Sequence, residues 1–282
     1  MIERLRRRFG SAPPGETWIG DDAAAVTPPA GTLLLAADVV VEGVHVDLGL
    51  VGLDDVGWKA VAVNVSDVAA MGGEPLHLLV TVAGPPGTDL DALAAGIGEA
   101  ADEWSCAVVG GDLTNAPVLV VTVAVTGQVD GPPVLRSGAH PGDVVYVTGP
   151  LGAGAAALRS LRAGGPGDAY RRPRARVAEG AAARRAGATS MIDVSDGLAA
   201  DLGHIADESG VGVTLDDVPT APGATEADAL GGGEDFELVF TLATGVAPPP
   251  GSLRLGVCTA DPTSRTLRGE PLGGAGWQHR FP

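Results

Sequence analysis

Six short acidic stations lie beside glycine or at the end of an apolar run: Gly20-Asp21-Asp22, Ala37-Asp38, Ser66-Asp67, Gly110-Gly111-Asp112, Asp193-Val194-Ser195-Asp196-Gly197 and Gly233-Glu234-Asp235. A carboxylate placed where a buried strand meets a tight turn is costly to desolvate unless a cation or hydrogen-bond donors meet it. Several such stations point to a shared guest. With many carboxylates and few basic residues, the guest that fits is a hard divalent cation, usually Mg2+, carrying phosphate oxygens of its own.

Each station also has a plainer reading. Asp193 ends a strand, Ser195 fits an N-cap and Asp196 falls in the first helical turn, where backbone N–H groups favour anionic oxygens; a capped helix alone would look the same. The Gly110-Gly111 pair lets backbone approach a ligand closely, or simply supplies a turn. Asn64 and Asp67, three apart, share a helix face that Met71 continues, a face more often solvated. Asp21-Asp22 reads as a turn pair and Asp38 as a strand-end cap. Together these readings require several unrelated polar interruptions of apolar segments.

The elements that must position the stations alternate in type. Thr32 to Ala37, Leu76 to Ala83 and Val118 to Thr126 read as strands buried on both faces. Asp54 to Met71 and Asp89 to Trp104 read as helices. Gly127 to Arg136, with its Gly131-Pro132-Pro133, marks a boundary, so domains are expected at 1–136 and 137–282. The second half reads as a strand over Gly142 to Thr148, a helix over Ala153 to Arg162, another over Glu179 to Ala186 and a strand over Ser190 to Val194. A helix from Ser195 to Glu208 and strands near Val213 to Leu215, Glu237 to Thr241 and Leu253 to Val257 complete it. The expected class is α/β with two mixed sheets. The Gly149 to Gly154 loop looks like a dinucleotide fingerprint, but no suitably spaced acidic strand end follows, and a strand-to-helix turn is the better reading.

Composition narrows the chemistry. At 282 residues and 45% hydrophobic content, the chain is long enough for two packed domains. A net charge of -17 argues against a nucleic-acid footprint and means that a nucleotide would need metal to offset repulsion. Lys59 is the only lysine, which excludes a phosphate loop with its Gly-Lys-Ser/Thr signature. Cys106 and Cys258 stand far apart, and His45, His77, His140, His204 and His279 show no ligand spacing, so neither zinc nor a disulfide framework is expected. With no signal-like or membrane-length apolar run, the expectation is a soluble cytoplasmic protein.

The stations and their flanks, taken in order, carry a resemblance. Ile19 to Ala24, Asp38 through Glu42-Gly43-Val44-His45, Lys59 to Gly72, Gly110-Gly111-Asp112, Arg136 to Asp143, Ile192 to Gly197 with Asp201 to Ile205, Gly232 to Leu238 and Gly276-Trp277 resemble thiamine-monophosphate kinases. That family lies in the aminoimidazole-ribonucleotide synthetase superfamily, whose members use ATP without a lysine phosphate loop. The resemblance implies an aminoimidazole-ribonucleotide synthetase-like fold with an N-terminal dimerising domain, a homodimer, ATP as co-substrate and several Mg2+ ions. It implies Asp22, Asp38, Asp67, Asp112, Asp193 and Asp196 as metal carboxylates, Asp193 and Asp196 being the catalytic pair. Gly111, Asp112, Arg136 and Ser195 would contact the nucleotide, and His45, Glu234 and Trp277 the thiamine phosphate. The implied reaction is in-line phosphorylation of thiamine monophosphate to the diphosphate. The alternatives are another ATP-using superfamily member or a nucleotide- or thiamine-phosphate-binding sensor without turnover. Three departures stand out: Ala36-Ala37 where the family often has Ser-Thr, Asn115 where an arginine is common after the Gly-Gly-Asp motif, and a short segment from Asp216 to Gly231.

Overall fold

The structure, a computed structural model, describes residues 2–19, 23–273 and 276–277. The chain divides into two compact units, Met1–Val68 with Gly73–Pro132, and Ala69–Gly72 with Pro133–Pro282.

The first unit runs α1 (Ile2–Phe9), β1 (Thr32–Val41), α2 (Leu53–Ala70), β2 (Glu74–Gly84), α3 (Leu90–Glu103), β3 (Ala107–Asn115) and β4 (Val120–Val129). Helix α2 begins with Asp54 and Asp55, whose charges complement the N-terminal dipole. It stops in a Schellman turn: Gly72 has φ 71, its N–H donates to the Ala69 carbonyl at 2.9 Å, and the Gly73 N–H donates to Val68 at 3.0 Å. Asp89 caps α3, its Oδ1 accepting the N–H groups of Asp91 and Ala92.

The strands lie in the order β1-β4-β2-β3, with only β2–β3 parallel. Alternation along β4 is strict, with Val121, Val123 and Val125 buried on one face. Val68 of α2 abuts Gly127 on this sheet, so α2 covers it from one side. The reading of strands buried on both faces needs correction here. Leu33, Leu35 and Leu79 are 47%, 72% and 45% exposed, because within the described chain only one face of the sheet is covered.

The second unit runs β5 (Val144–Val147), α4 (Ala153–Arg162), α5 (Asp168–Arg171), α6 (Val177–Arg185), β6 (Ser190–Asp193), α7 (Leu198–Ser209), β7 (Gly212–Leu215), α8 (Glu226–Gly231), β8 (Leu238–Leu242), β9 (Leu253–Thr259), β10 (Arg265–Leu267) and β11 (Glu270–Pro271). These strands form a sheet in the order β11-β10-β7-β9-β5-β8-β6, with only β7–β10 parallel. Both faces of its centre are covered, so all five residues of β8 are buried. On one side Leu198, Leu202 and Ile205 of α7 pack with Val145, Val147 and Val239. On the other, Ala183 of α6 packs with Met191, Leu238, Phe240 and Leu242. Among the described residues no helix is long and apolar enough to cross a membrane.

Candidate active site

Within the first unit, Asp38 sits inside β1 rather than at its end, exposed and opposite Val123 of β4. Asn64, fully buried in α2, accepts the Asp38 N–H through Oδ1 at 2.8 Å and donates its amide to the Ala60 carbonyl at 2.9 Å. The helix face that carries half-buried Asp67 is thereby tied to the Asp38 segment. Ala36 and Ala37 point to opposite faces of the strand, so only position 36 shares a face with Asp38. Two hydroxyls at these positions would not both lie beside that carboxylate.

His45 closes a turn after β1. Its Nδ1 accepts the Val41 N–H at 3.0 Å, which leaves the proton of the neutral ring on Nε2. Buried Lys59 donates Nζ to the His45 carbonyl at 3.4 Å, so the only lysine in the chain holds this turn. Across the sheet, register runs Asp38–Val123–Val80–Gly111, placing Asp112 one residue beyond Gly111 on the edge strand. Beside Gly110, Gly111 and Asp112 opens an apolar pocket walled by Leu5, Phe9, Ile19, Leu93, Ile97 and Val108. Nothing in the sequence reading anticipated this pocket; the signal was the amphipathic segment Ile2 to Phe9, which folds as α1 against α3 and β3.

Within the second unit the Asp193 to Gly197 station is a turn, not the start of a helix. Helix α7 begins at Leu198, after Gly197 at φ 117 and ψ 146, so Ser195 and Asp196 precede it, and the expected N-cap at Ser195 moves to Gly197. The displacement has a cause. Buried Asp201, in the first turn of α7, reaches back so that Oδ2 accepts the N–H groups of Asp196 at 3.1 Å and Gly197 at 3.0 Å. Burial, then the charges of Asp193 and Asp196, push the Asp201 carboxyl up to about 8.

The same turn holds Glu234 and Trp277, two of the three residues expected on the thiamine-phosphate side. Ser195 offers its carbonyl to the Glu234 N–H at 2.7 Å, and Asp196 offers its carbonyl to the Trp277 N–H at 3.0 Å. Trp277 is 53% exposed. Glu234 and Phe236 are held in the left-handed region, at φ 58 and 51, a conformation that costs about 1 kcal/mol for each side chain. The strain is held by the Phe236 N–H donating to Val194 at 2.9 Å, the Val194 N–H donating to Glu237 at 2.7 Å and the burial of Phe236. Arg136 presents an exposed side chain, while its carbonyl accepts the Ser209 hydroxyl at 3.2 Å.

Asp235 has a different part. Its two oxygens accept the Gly152 N–H at 2.6 Å and the Gly154 N–H at 3.0 Å, capping α4 from a distant segment because Gly152 has no side chain to do so. Burial pushes this carboxyl up to about 6, with the Glu237 charge adding and the helix amides pulling down. Asp235→Ala is expected to destabilise the protein by about 3 kcal/mol or more, since it removes two hydrogen bonds to a charged group, each worth roughly 1.5–3 kcal/mol. Urea unfolding measures this, and a loss no larger than a surface substitution would contradict the capping role.

The donor set in the second unit fits a hard cation. Asp193 and Asp196 are close enough for both charges to act on Asp201, and the Asp201 Oδ2 is taken by backbone amides. Among the described residues no three acidic, histidine or cysteine side chains converge on one point. Two carboxylates, with the remaining positions filled by phosphate oxygens and water, is the mode of Mg2+. Asp22 lies outside the described residues.

Comparison with known proteins follows the same two-part division. Residues 20–129 match the model for the AIR synthase related protein, N-terminal domain, and residues 140–248 the corresponding C-terminal domain. The chain is 38% identical to a thiamine-monophosphate kinase of Mycobacterium tuberculosis H37Rv, over 99% of this chain and 90% of that one. It resembles the crystal structure of thiamine-monophosphate kinase from Stenotrophomonas maltophilia K279a with TM-score 0.83 and 34% identity, over 95% of this chain and 96% of that one. A structure described as AaThiL complexed with AMPPCP and TMP matches with TM-score 0.83 and 31% identity, over 93% of this chain and 92% of that one.

Proposed function

The chain belongs to the thiamine-monophosphate kinase family, and from that premise we propose that it transfers the γ-phosphoryl group of ATP to thiamine monophosphate, giving thiamine diphosphate and ADP. The observation that carries the reading is the Asp193 to Gly197 turn, which bears two carboxylates and is bonded through its own carbonyls to Glu234 and Trp277. The binding of AMPPCP, an ATP analogue, together with TMP by a relative accords with it.

In this reading a terminal oxygen of the acceptor phosphate attacks the γ-phosphorus in line, and the bond to the ADP oxygen breaks. A phosphate monoester has its second pKa near about 6, so the attacking oxygen is largely ionised at neutral pH and no general base is needed. In the second unit Asp193 and Asp196 would hold Mg2+, and in the first unit Asp38, Asp67 and Asp112 are the carboxylates that the family resemblance offers to metal. The chemistry supplied by bound Mg2+ is neutralisation of phosphate charge, which a chain of net charge -17 needs for an anionic substrate. Arg136 adds a permanent positive charge for the nucleotide. The apolar pocket beside Gly110-Gly111-Asp112 suits the adenine ring, and Trp277 offers a flat exposed surface to the thiamine heterocycle. The His45 Nε2–H and Glu234 serve the thiamine-phosphate side. Coupled ADP release with a panel of acceptors tests the proposal. Release that depends on thiamine monophosphate supports it; binding of both ligands without release would instead identify a sensor.

A homodimer through the open face of the first sheet belongs to the same reading, because Leu33, Leu35 and Leu79 form an exposed apolar set. Light scattering is expected to give about twice the 28.0 kDa chain mass. Leu35→Lys should shift the protein toward monomer, and a variant that stays dimeric would move the interface elsewhere.

A further inference from the structure

We propose that Asp201 is a positioning residue for phosphoryl transfer: a single oxygen of its carboxyl group clamps the Asp196–Gly197 backbone and so fixes the metal-side carboxylates and Trp277 in one arrangement. The inference rests on the kinase reading above for its catalytic consequence, but not for the clamp itself.

Asp201 is 2% exposed, and a single oxygen, Oδ2, takes both the Asp196 N–H and the Gly197 N–H. Neither amide has a helical partner, because both precede the first residue of α7. A buried N–H finds an acceptor or costs stability, so the turn is drawn down onto α7.

The backbone of Asp196 is consequently held at both ends. Its N–H goes to Asp201 and its carbonyl accepts the Trp277 N–H at 3.0 Å. Gly276, next to that tryptophan, lies so close that an added Cβ would come within 2.3 Å of the Ala200 methyl and 3.1 Å of the Asp196 carbonyl oxygen. On the far side of the turn Gly197 is pinned against Gly231, where an added Cβ would approach the Gly231 Cα to 2.8 Å. Loss of the two bonds from Asp201 therefore loosens the Asp196–Gly197 peptide, whose carbonyl accepts the Trp277 N–H. Asp201 touches neither substrate nor metal in this scheme and acts through the turn.

The test compares Asp201→Asn, whose carbonyl oxygen keeps the acceptor but not the charge, with Asp201→Leu, which removes the acceptor at similar size. Two readouts are taken on the full chain. The first is hydrogen exchange at the Asp196 and Gly197 amides by NMR without metal or nucleotide. The second is kcat, KM for thiamine monophosphate and half-saturating Mg2+. For Asp201→Leu, faster exchange at both amides is expected, with Mg2+ requirement and KM rising together by roughly 10- to 100-fold, the range for residues that orient metal ligands. Asp201→Asn is expected to stay close to wild type in both. Unchanged exchange in Asp201→Leu would overturn the clamp. Equal kinetic loss in both variants, with exchange intact in Asp201→Asn, would overturn it in favour of a direct charge role. Should Asp201→Leu fail to fold, Asp201→Ser, too short to reach both amides, is read the same way. If the wild-type protein turns over no acceptor, the kinase reading falls while the exchange measurement still decides the clamp.

Discussion

Asp193→Asn and Asp196→Asn are each expected to lower turnover by more than the roughly 10- to 100-fold that loss of an outer-shell partner costs, with the fold intact. Asparagine keeps the shape of either side chain and removes one negative charge from a pair that acts together. The effect should appear mainly in kcat and in half-saturating Mg2+, because the phosphate oxygens that share the cation are most tightly engaged during transfer. A second readout is independent of turnover. The charges of Asp193 and Asp196 help to hold the Asp201 carboxyl up at about 8, so either substitution should bring that group down. The sign for stability follows. With its folded value raised above the ordinary carboxyl range, Asp201 contributes fully in acid and loses that contribution as pH rises through about 8, so the variants should lose less stability between pH 4 and 8 than wild type. Near-normal turnover at limiting Mg2+ in both variants would remove Asp193 and Asp196 from the metal site.

Much of this was legible in the residues, for reasons that differ by element. Helix α2 announced itself by Asp54-Asp55 and Gly72-Gly73, which do at its ends what those residue types do anywhere. Strand positions were visible for the same local reason, but their exposure was not. An apolar run such as Thr32 to Val41 does not say whether a second layer lies above it, and Leu35, 72% exposed, shows that within the described chain none does. The Asp193 to Gly197 station was recognisable as a strand-end turn, whereas the start of α7 was misplaced, because Ser195 satisfies the local rule for an N-cap and the competing acceptor lies in Asp201. The spacing from Gly197 to Asp201 was available as a signal, one residue longer than a capping box. Asp235 could not be separated from Glu234 by spacing alone. Adjacent on the chain, one turns to the amides of α4, more than eighty residues earlier, and the other bonds its N–H to Ser195, distinctions set by contacts remote in sequence.

Gly111→Ala should damage both stability and nucleotide use, and the reason is steric. In the β2–β3 register Gly111 pairs with Val80, and a methyl at position 111 would lie 1.8 Å from the Val80 carbonyl oxygen and 2.7 Å from its carbon. Both are backbone atoms in an interior strand, so no rotamer change relieves the contact. Relief must come from β3, the edge strand, moving outward with Asp112 and the glycine wall of the apolar pocket. Overpacking of this kind costs about 3 kcal/mol at the upper end of its usual range, and at about 2–4 °C per kcal/mol the melting temperature should fall by roughly 10 °C. If the nucleotide occupies that pocket, KM for ATP should rise well beyond KM for thiamine monophosphate, whose assigned contacts include Glu234 and Trp277 in the other unit. Gly131→Ala is the control: its φ of 92 strains any side chain, but no atom lies within 4 Å of the added methyl, so it carries the backbone penalty without the clash. A Gly111→Ala protein that melts and binds ATP like Gly131→Ala would mean that β2 and β3 are not paired as described, and that the Gly110-Gly111-Asp112 station does not line the nucleotide site.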